Sequence, residues 1–170
     1  MVPPFDELLA GTRRSAVHLE MRDCYPRSSP RFRAWLAGVR EDPGDRTTWW
    51  MPFHGFVAEA VARGVQIRRA RIVSEPITDY VRFEYDVTFS NVAAGEHVRW
   101  LPRRRTSDLA LPGNDFWVFD DRLVRFGHFA GDGEFLSDEL TEDPSTVRLC
   151  ASAFEAVWKR AIPHDDYTPG

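Results

Sequence analysis

Lysine is nearly missing from this sequence. Of its 22 basic residues only Lys159 is lysine, and the other 21 are arginine. Chemistry that needs a lysine nucleophile, a Schiff base or a phosphate-gripping ammonium therefore has one candidate. Cysteine is scarce too: Cys24 and Cys150 stand alone, in no metal-type spacing, and lone thiols fit a reducing cytoplasmic setting. Long apolar runs are lacking. The longest uncharged stretch, Thr47 to Ala58, falls well short of the roughly 20 apolar residues that a membrane-crossing helix needs. The opening residues, Met1 to Glu7, show neither the basic region nor the apolar core of a signal peptide, so a cytoplasmic location is expected. Excess positive charge is absent as well. The formal net charge of −4 argues against bulk binding to nucleic acid or anionic membranes. There is no glycine-rich phosphate loop after a strand, no nucleophile elbow and no His/Cys metal set, so neither cofactor nor metal is expected.

What is present is an ordinary globular composition. Its 170 residues suit one domain, and six Trp with twelve Phe supply material for a packed core. Pro4–Gly11 predicts a short helix, with Phe5, Leu8 and Leu9 on one face and Asp6 and Glu7 in the first turn. Ser15–Asp23 alternates: Ala16, His18, Glu20 and Arg22 point one way, Val17, Leu19 and Met21 the other, which predicts a half-buried strand. Pro30–Val39 predicts a second short helix. A longer one, capped at Thr47 or Thr48, runs to Arg63 and stops at Gly64. Val65–Ser74 is β-branched and reads as a strand.

Asp79–Ala94 fits two periods. Val81, Phe83, Tyr85, Val87 and Phe89 alternate with polar residues, while Tyr80, Phe83, Val87 and Ala94 fall at helical spacing. A helix is preferred, capped at Asp79, because Val65–Ser74 and His97–Leu101 then form a βαβ crossover that Gly95 closes. Asn114–Asp120 and Leu123–Phe129 predict a hairpin, Glu134–Leu136 a short edge strand, and Asp143 caps a last helix ending at Ala161 or Ile162. Together these give a single α/β domain over 1–163, with a mixed sheet of about five to seven strands flanked by helices. Residues 164–170 are expected to form a flexible tail.

Several blocks carry a family resemblance: 13–23 (RRSAVHLEMRD), 68–76 (RRARIVSEP), 91–96 (NVAAGE), 98–104 (VRWLPRR), 111–117 (LPGNDFW) and 153–158 (AFEAVW). They resemble an actinobacterial family of unknown function, frequently encoded beside small helix-turn-helix regulators. The resemblance covers almost the whole chain and implies a regulatory protein partner, but no activity. The strand order, and the hairpin followed by a helix holding Phe154 to Trp158, is also similar at fold level to one half of a phospholipase D-like domain. That chemistry uses a histidine followed two residues later by lysine. Here the residues two after His18, His54, His97, His128 and His164 are Glu20, Phe56, Arg99, Ala130 and Asp166, so phosphodiesterase activity is not expected.

Four groups are candidate sites. His18, Glu20 and Arg22 share a strand face, as a pocket wall with a carboxylate-oriented base or as an ordinary ion-paired face. The arginines Arg68, Arg69, Arg71, Arg99 and Arg103 to Arg105 converge if the two central strands are neighbours. Arg71 and Arg99 then line one cavity, with Glu75, Glu84 or Asp115 as counter-charges. Forked guanidinium donors suit a small anionic ligand or an acidic patch on a partner, while plentiful acids nearby favour a structural ion-pair network. Ser74 and Glu75 follow a strand, where open α/β sheets place ligand groups. Asp115 opens an otherwise aromatic strand and is placed to bond the arginines.

The reading preferred from sequence is a non-catalytic cytoplasmic module that acts with a helix-turn-helix regulator through a protein partner or small anion. The alternatives are an enzyme of unrecognised type using His18, Glu20 or Asp115, and a direct nucleic-acid binder with a local arginine face.

Overall fold

The computed structural model describes residues 2–25 and 28–170. Helix α1 (Phe5–Gly11) leads into strand β1 (Ser15–Glu20), then α2 (Pro30–Leu36), α3 (Pro52–Ala62), β2 (Gln66–Val73), α4 (Asp79–Ala94) and β3 (His97–Pro102). The second half holds β4 (Phe116–Phe119), β5 (Leu123–Phe129), β6 (Phe135–Thr141), α5 (Pro144–Arg160) and the two-residue β7 (Ile162–Pro163). The seven strands form one sheet in the order β6-β5-β4-β1-β2-β3-β7. Strands β1, β2 and β3 run parallel at its centre, and the remaining neighbours are antiparallel. The α/β class and the mixed sheet flanked by helices are as expected from the sequence.

Residues 79–94 are helical. Thr78, rather than Asp79, caps α4 by accepting from the Val81 amide at 3.1 Å. Gly95 closes the helix at φ 106°, where a Cβ would stand 3.0 Å from both Val61 methyl carbons. The crossover β2–α4–β3 follows, and it sets the two central strands side by side.

Helix α5 covers one face of the sheet, burying Val147, Cys150, Phe154 and Val157 against Val17, Leu19, Ala70, Ile72 and Leu101. On the other face, α1 and α3 pack over Ala16, Ile67, Trp117 and Phe119. A further cluster there joins Val73, Val81, Val98 and Trp100. Strand β1 is thus covered on both faces, not half-buried, because β2 and β4 flank it and helices lie above and below.

Other expectations are corrected. The helix expected from Thr48 to Arg63 is a single 3-10 turn (Arg46–Thr48), a break, and α3 starting at Pro52, which suits a first-turn position. The strand expected from Asn114 begins at Phe116, and the edge strand is longer than expected, running from Phe135 to Thr141. Asp120 and Asp121, at φ 52° and 53°, make the tight hairpin turn. The Asp120 carboxylate also accepts the amides of Arg13, Arg14 and Ser15.

The chain end is not a loose tail. Tyr167 is 3% exposed, stacks on Trp100 at 5.5 Å, and donates its hydroxyl to Glu75 at 3.0 Å. An aromatic ring at the end of a chain carries no periodicity, so this docking leaves no pattern to read. Tyr167→Ala is expected to cost about 3 kcal/mol by emptying a buried aromatic site, measured by urea unfolding. A cost below about 0.5 kcal/mol would show that the segment adds nothing.

Candidate functional site

Strands β1 and β2 pair with His18 opposite Arg69 and Glu20 opposite Arg71. Side chains at those positions share one sheet face, beneath α3 and α4, and they build a buried charge network. Arg69 donates Nε and Nη2 to Glu96 at 2.7 and 3.1 Å and Nη1 to Glu20. Arg71 donates Nε to the other Glu20 oxygen at 2.5 Å and Nη1 to Thr88 at 2.6 Å. Asn91 donates to Glu96 at 3.1 Å. Both guanidinium groups lie against aromatic rings, Arg71 at 5.0 Å from Trp100 and Arg69 at 5.4 Å from Trp117. Two cations thus face two anions, and both carboxylates are held by guanidinium groups.

The electrostatics follow. Burial alone would raise the Glu20 carboxyl, but Arg71 and Arg69 outweigh it and hold the group well below the carboxylate range. His18 is pushed far below its ordinary value by burial and then by Arg69. Its Nδ1 lies 2.9 Å from Arg69 Nη1, so the neutral ring accepts there and keeps its proton on Nε2. The 3.4 Å approach of His18 to Glu20 is therefore not an ion pair. The ring stacks on Trp117 at 4.3 Å.

Above this floor lies a cavity of about 480 Å³. His18, Glu20, Glu84 and Asp115 reach it, and Tyr25, Tyr80, Trp117 and Phe129 wall it. A second cavity, about 410 Å³, shares Glu20, Tyr80 and Glu84 with the first and opens toward Arg31 and His54. Glu84 and Asp115 differ from Glu20. Asp115 accepts from the Met21 amide at 2.8 Å and from the Tyr25 hydroxyl, and burial raises it to about 6 despite both bonds. The Glu84 carboxyl approaches Arg71 Nε only to 3.9 Å, and burial, with Glu20 nearby, raises it to about 8.

The structure brings Arg71, Glu20, His18 and Glu84 together, with Asp115 across the cavity. It separates Arg99. In register Arg99 stands opposite Ala70, on the α5 side of the sheet, where it donates to the Trp158 carbonyl at 3.1 Å and lies 4.4 Å from that indole. The convergence of Arg71 with Arg99 is corrected by strand alternation, which sends neighbouring positions to opposite faces. Arg68, on that same far face, pairs with Glu155 at 2.6 Å. Asp115 bonds Tyr25 and the Met21 amide, not the arginines. Glu20 pairs with Arg69 and Arg71, not Arg22, which turns to the Ala130 carbonyl at 3.1 Å.

Ser74 and Glu75 lie elsewhere, at the C-terminal end of β2. Ser74 donates to Asp23 at 2.6 Å and accepts from Arg103 at 2.9 Å, while Glu75 meets Arg104 at 3.2 Å. They line a separate, open cavity of about 340 Å³. Its guanidinium groups are already paired. Lys159, on α5, is exposed and remote from both sites. Among the described residues no group of three or more His, Cys, Asp or Glu is placed to hold a metal, and no helix is long and apolar enough to cross a membrane.

Sequence reasoning did not single out Glu96, Thr88, Asn91 or Tyr25. For Glu96 a signal existed: it follows the helix-ending Gly95 and opens a central parallel strand, where buried charge requires a partner.

Comparison with solved structures agrees with the architecture. NucT from Helicobacter pylori matches at 11% identity and a TM-score of 0.53, covering 93% of this chain and 87% of that one. Nuc from Salmonella typhimurium, a phospholipase D family member, matches at 11% identity and 0.49, covering 93% and 86%. TrmBL2, an archaeal chromatin protein whose structure shows a novel mode of DNA binding, matches at 14% identity and 0.49, covering 92% of this chain and 47% of that one. At 11% identity the likeness to NucT is one of fold alone. No curated protein matches the sequence. Over residues 3–169 it matches the family described as a domain of unknown function, DUF6879, and the chain belongs to that family.

Proposed function

We propose that this chain is a non-catalytic binding module that takes a small ligand into the aromatic-walled cavity over β1 and β2. One observation carries the reading: a largely aromatic-walled cavity of about 480 Å³ lies directly above a charge network whose carboxylates are already paired. Such a combination, apolar walls with a few fixed polar groups, suits ligand recognition. Two of the residues that an enzyme could use, Glu20 and His18, are committed elsewhere. Glu20 is held by two guanidinium groups and is too weak a base, while His18 already accepts a hydrogen bond at Nδ1. The same engagement disfavours a small anion, because Arg69 gives all three of its nitrogens to Glu96, Glu20 and His18 and Arg71 gives its Nε to Glu20.

The helix-turn-helix partner belongs to the same proposal and rests on the family resemblance alone. Co-expression with the adjacent regulator, followed by co-purification, tests that part. For the pocket, a metabolite panel is screened by thermal shift and each hit is mapped by ¹H–¹⁵N spectra. Hits are expected to perturb the Trp117 indole and the backbone near Tyr25 and Tyr80. Hits that map only to other surfaces, or compounds converted to product on incubation, would contradict the reading.

A further inference from the structure

The floor and walls of this cavity carry an imbalance that the ion-pair network does not resolve. Arg69 and Arg71 are matched by Glu20 and Glu96, and Arg125 is matched by Asp138. His18 is neutral. That leaves Glu84 and Asp115, two carboxyl groups facing the cavity with no cation of their own among the described residues, although Arg22, 5.2 Å from the Phe129 ring, acts on Asp115 through space.

Glu84 is the more exacting case. Its residue is 8% exposed, and its carboxyl makes no hydrogen bond among the described residues. The nearest cation, Arg71 Nε at 3.9 Å, is already spent on Glu20 at 2.5 Å. A carboxyl placed this way opens onto the cavity, where a donor entering that space can reach it. Asp115 has two donors, the Met21 amide and Tyr25, but both are neutral. The aromatic walls point the same way. Ring faces attract cations, and Tyr25, Tyr80, Trp117 and Phe129 surround the space between the acids. The absence of metal-ligand geometry among the described residues directs the choice to an organic group.

We infer that the cavity binds a positively charged organic group, an ammonium or guanidinium, seated between Glu84 and Asp115 and enclosed by aromatic rings. This rests on the binding-pocket reading and names the ligand chemistry for that same site. A cation there gives Glu84 a donor and favours its ionised form, so that binding expels the proton Glu84 holds at neutral pH, while Asp115 is by then largely ionised. Affinity therefore rises with pH, by up to about tenfold per unit for each proton released, until Glu84 is ionised in the free protein.

The experiment is calorimetric titration of the full chain with agmatine, putrescine and tetramethylammonium. Phosphate and citrate serve as comparators, from pH 6 to 9, in two buffers of different ionisation enthalpy. Agmatine or putrescine is expected to bind with proton release, more tightly at pH 8 than at pH 6. Glu84→Gln is expected to lose at least tenfold in affinity and most of the released protons. Asp115→Asn, which keeps the size and one acceptor, guards against loss through misfolding and should weaken binding without abolishing it. An arginine-bearing peptide beside agmatine tells a partner's side chain from a free small molecule, and preference for either supports the same chemistry. Binding of phosphate or citrate in place of the cations would overturn the inference and leave the pocket reading standing. So would cation binding that ignores Glu84→Gln. Failure of every cation would overturn it too, while the metabolite panel decides the pocket reading separately.

Discussion

Arg69→Met is expected to cost about 3–5 kcal/mol, the usual penalty for stranding a buried charge. For a chain of this length that lowers the melting temperature by about 6–20 °C. Arg69 is a single cation between two acids: it gives two N–H groups to Glu96 and one to Glu20. Glu96 is 3% exposed, and among the described residues its remaining partner without Arg69 is Asn91. Glu20 suffers less, because Arg71 still holds one of its oxygens. This asymmetry sets an order among the rescues. Adding Glu96→Gln to Arg69→Met should restore a large share of the loss, since an amide tolerates burial without a counter-ion. Glu20→Gln in the same background should restore less. Chemical unfolding of these three variants, together with Glu96→Gln and Glu20→Gln alone, gives the couplings directly. A single-variant loss below about 0.5 kcal/mol would mean that the network adds nothing to stability.

Stability is also expected to fall as pH rises from about 7 to 8, and Glu84 is the cause. Its folded carboxyl is raised to about 8, so over this window the folded chain holds a proton that the unfolded chain has released. A group raised in this way stabilises the fold fully below its unfolded value and loses that contribution as pH climbs through the folded one. The slope is at most about 1.4 kcal/mol per pH unit, which gives about 1 kcal/mol across the window. The histidines act on the other side. His18, His54 and His164 are all lowered by burial, so each stabilises the fold above pH 6.5 and loses that contribution as pH falls. Asp115, raised to about 6, has the sign of Glu84 but works at lower pH. At pH 6.5 the half-protonated histidines of the unfolded chain oppose Glu84, and from about pH 7 to 8 Glu84 governs the slope. Glu84→Gln should flatten the pH dependence of urea unfolding and make the protein more stable than wild type at pH 8. An unchanged slope in that variant would assign the effect to another group.

Much of the fold was legible because local signals agreed with the topology. Thr78, Gly95 and the apolar spacing of residues 80–94 fit a helix, and a crossover helix is what lets β2 and β3 lie parallel. The sheet's outer hairpin showed itself through Asp120 and Asp121 between alternating aromatics. The site was legible in its parts but not in its assembly. His18, Glu20, Arg71, Glu84 and Asp115 could be singled out, because charged residues in buried-looking strands and helices must be explained. Which arginines meet depends on the register between β2 and β3, and nothing in either strand writes that offset. A shift of one residue exchanges the faces. That is why Arg99 was expected beside Arg71 and lies instead across the sheet against Trp158. It is also why an arginine-rich sequence suggests an anion pocket, while the folded cavity presents carboxyl groups. The arginines are spent within the network, and what faces the open space is the remainder.

That remainder can be read directly. A ¹³C carboxyl titration of the wild-type chain, with Glu84→Gln and Asp115→Asn to assign the two resonances, reports each protonation step. The expected result is a Glu84 midpoint near 8 and an Asp115 midpoint near 6. Both midpoints near the ordinary carboxylate values, at about 4, would contradict it, because the cavity would then hold two solvated or already paired acids and have no charge to offer a ligand.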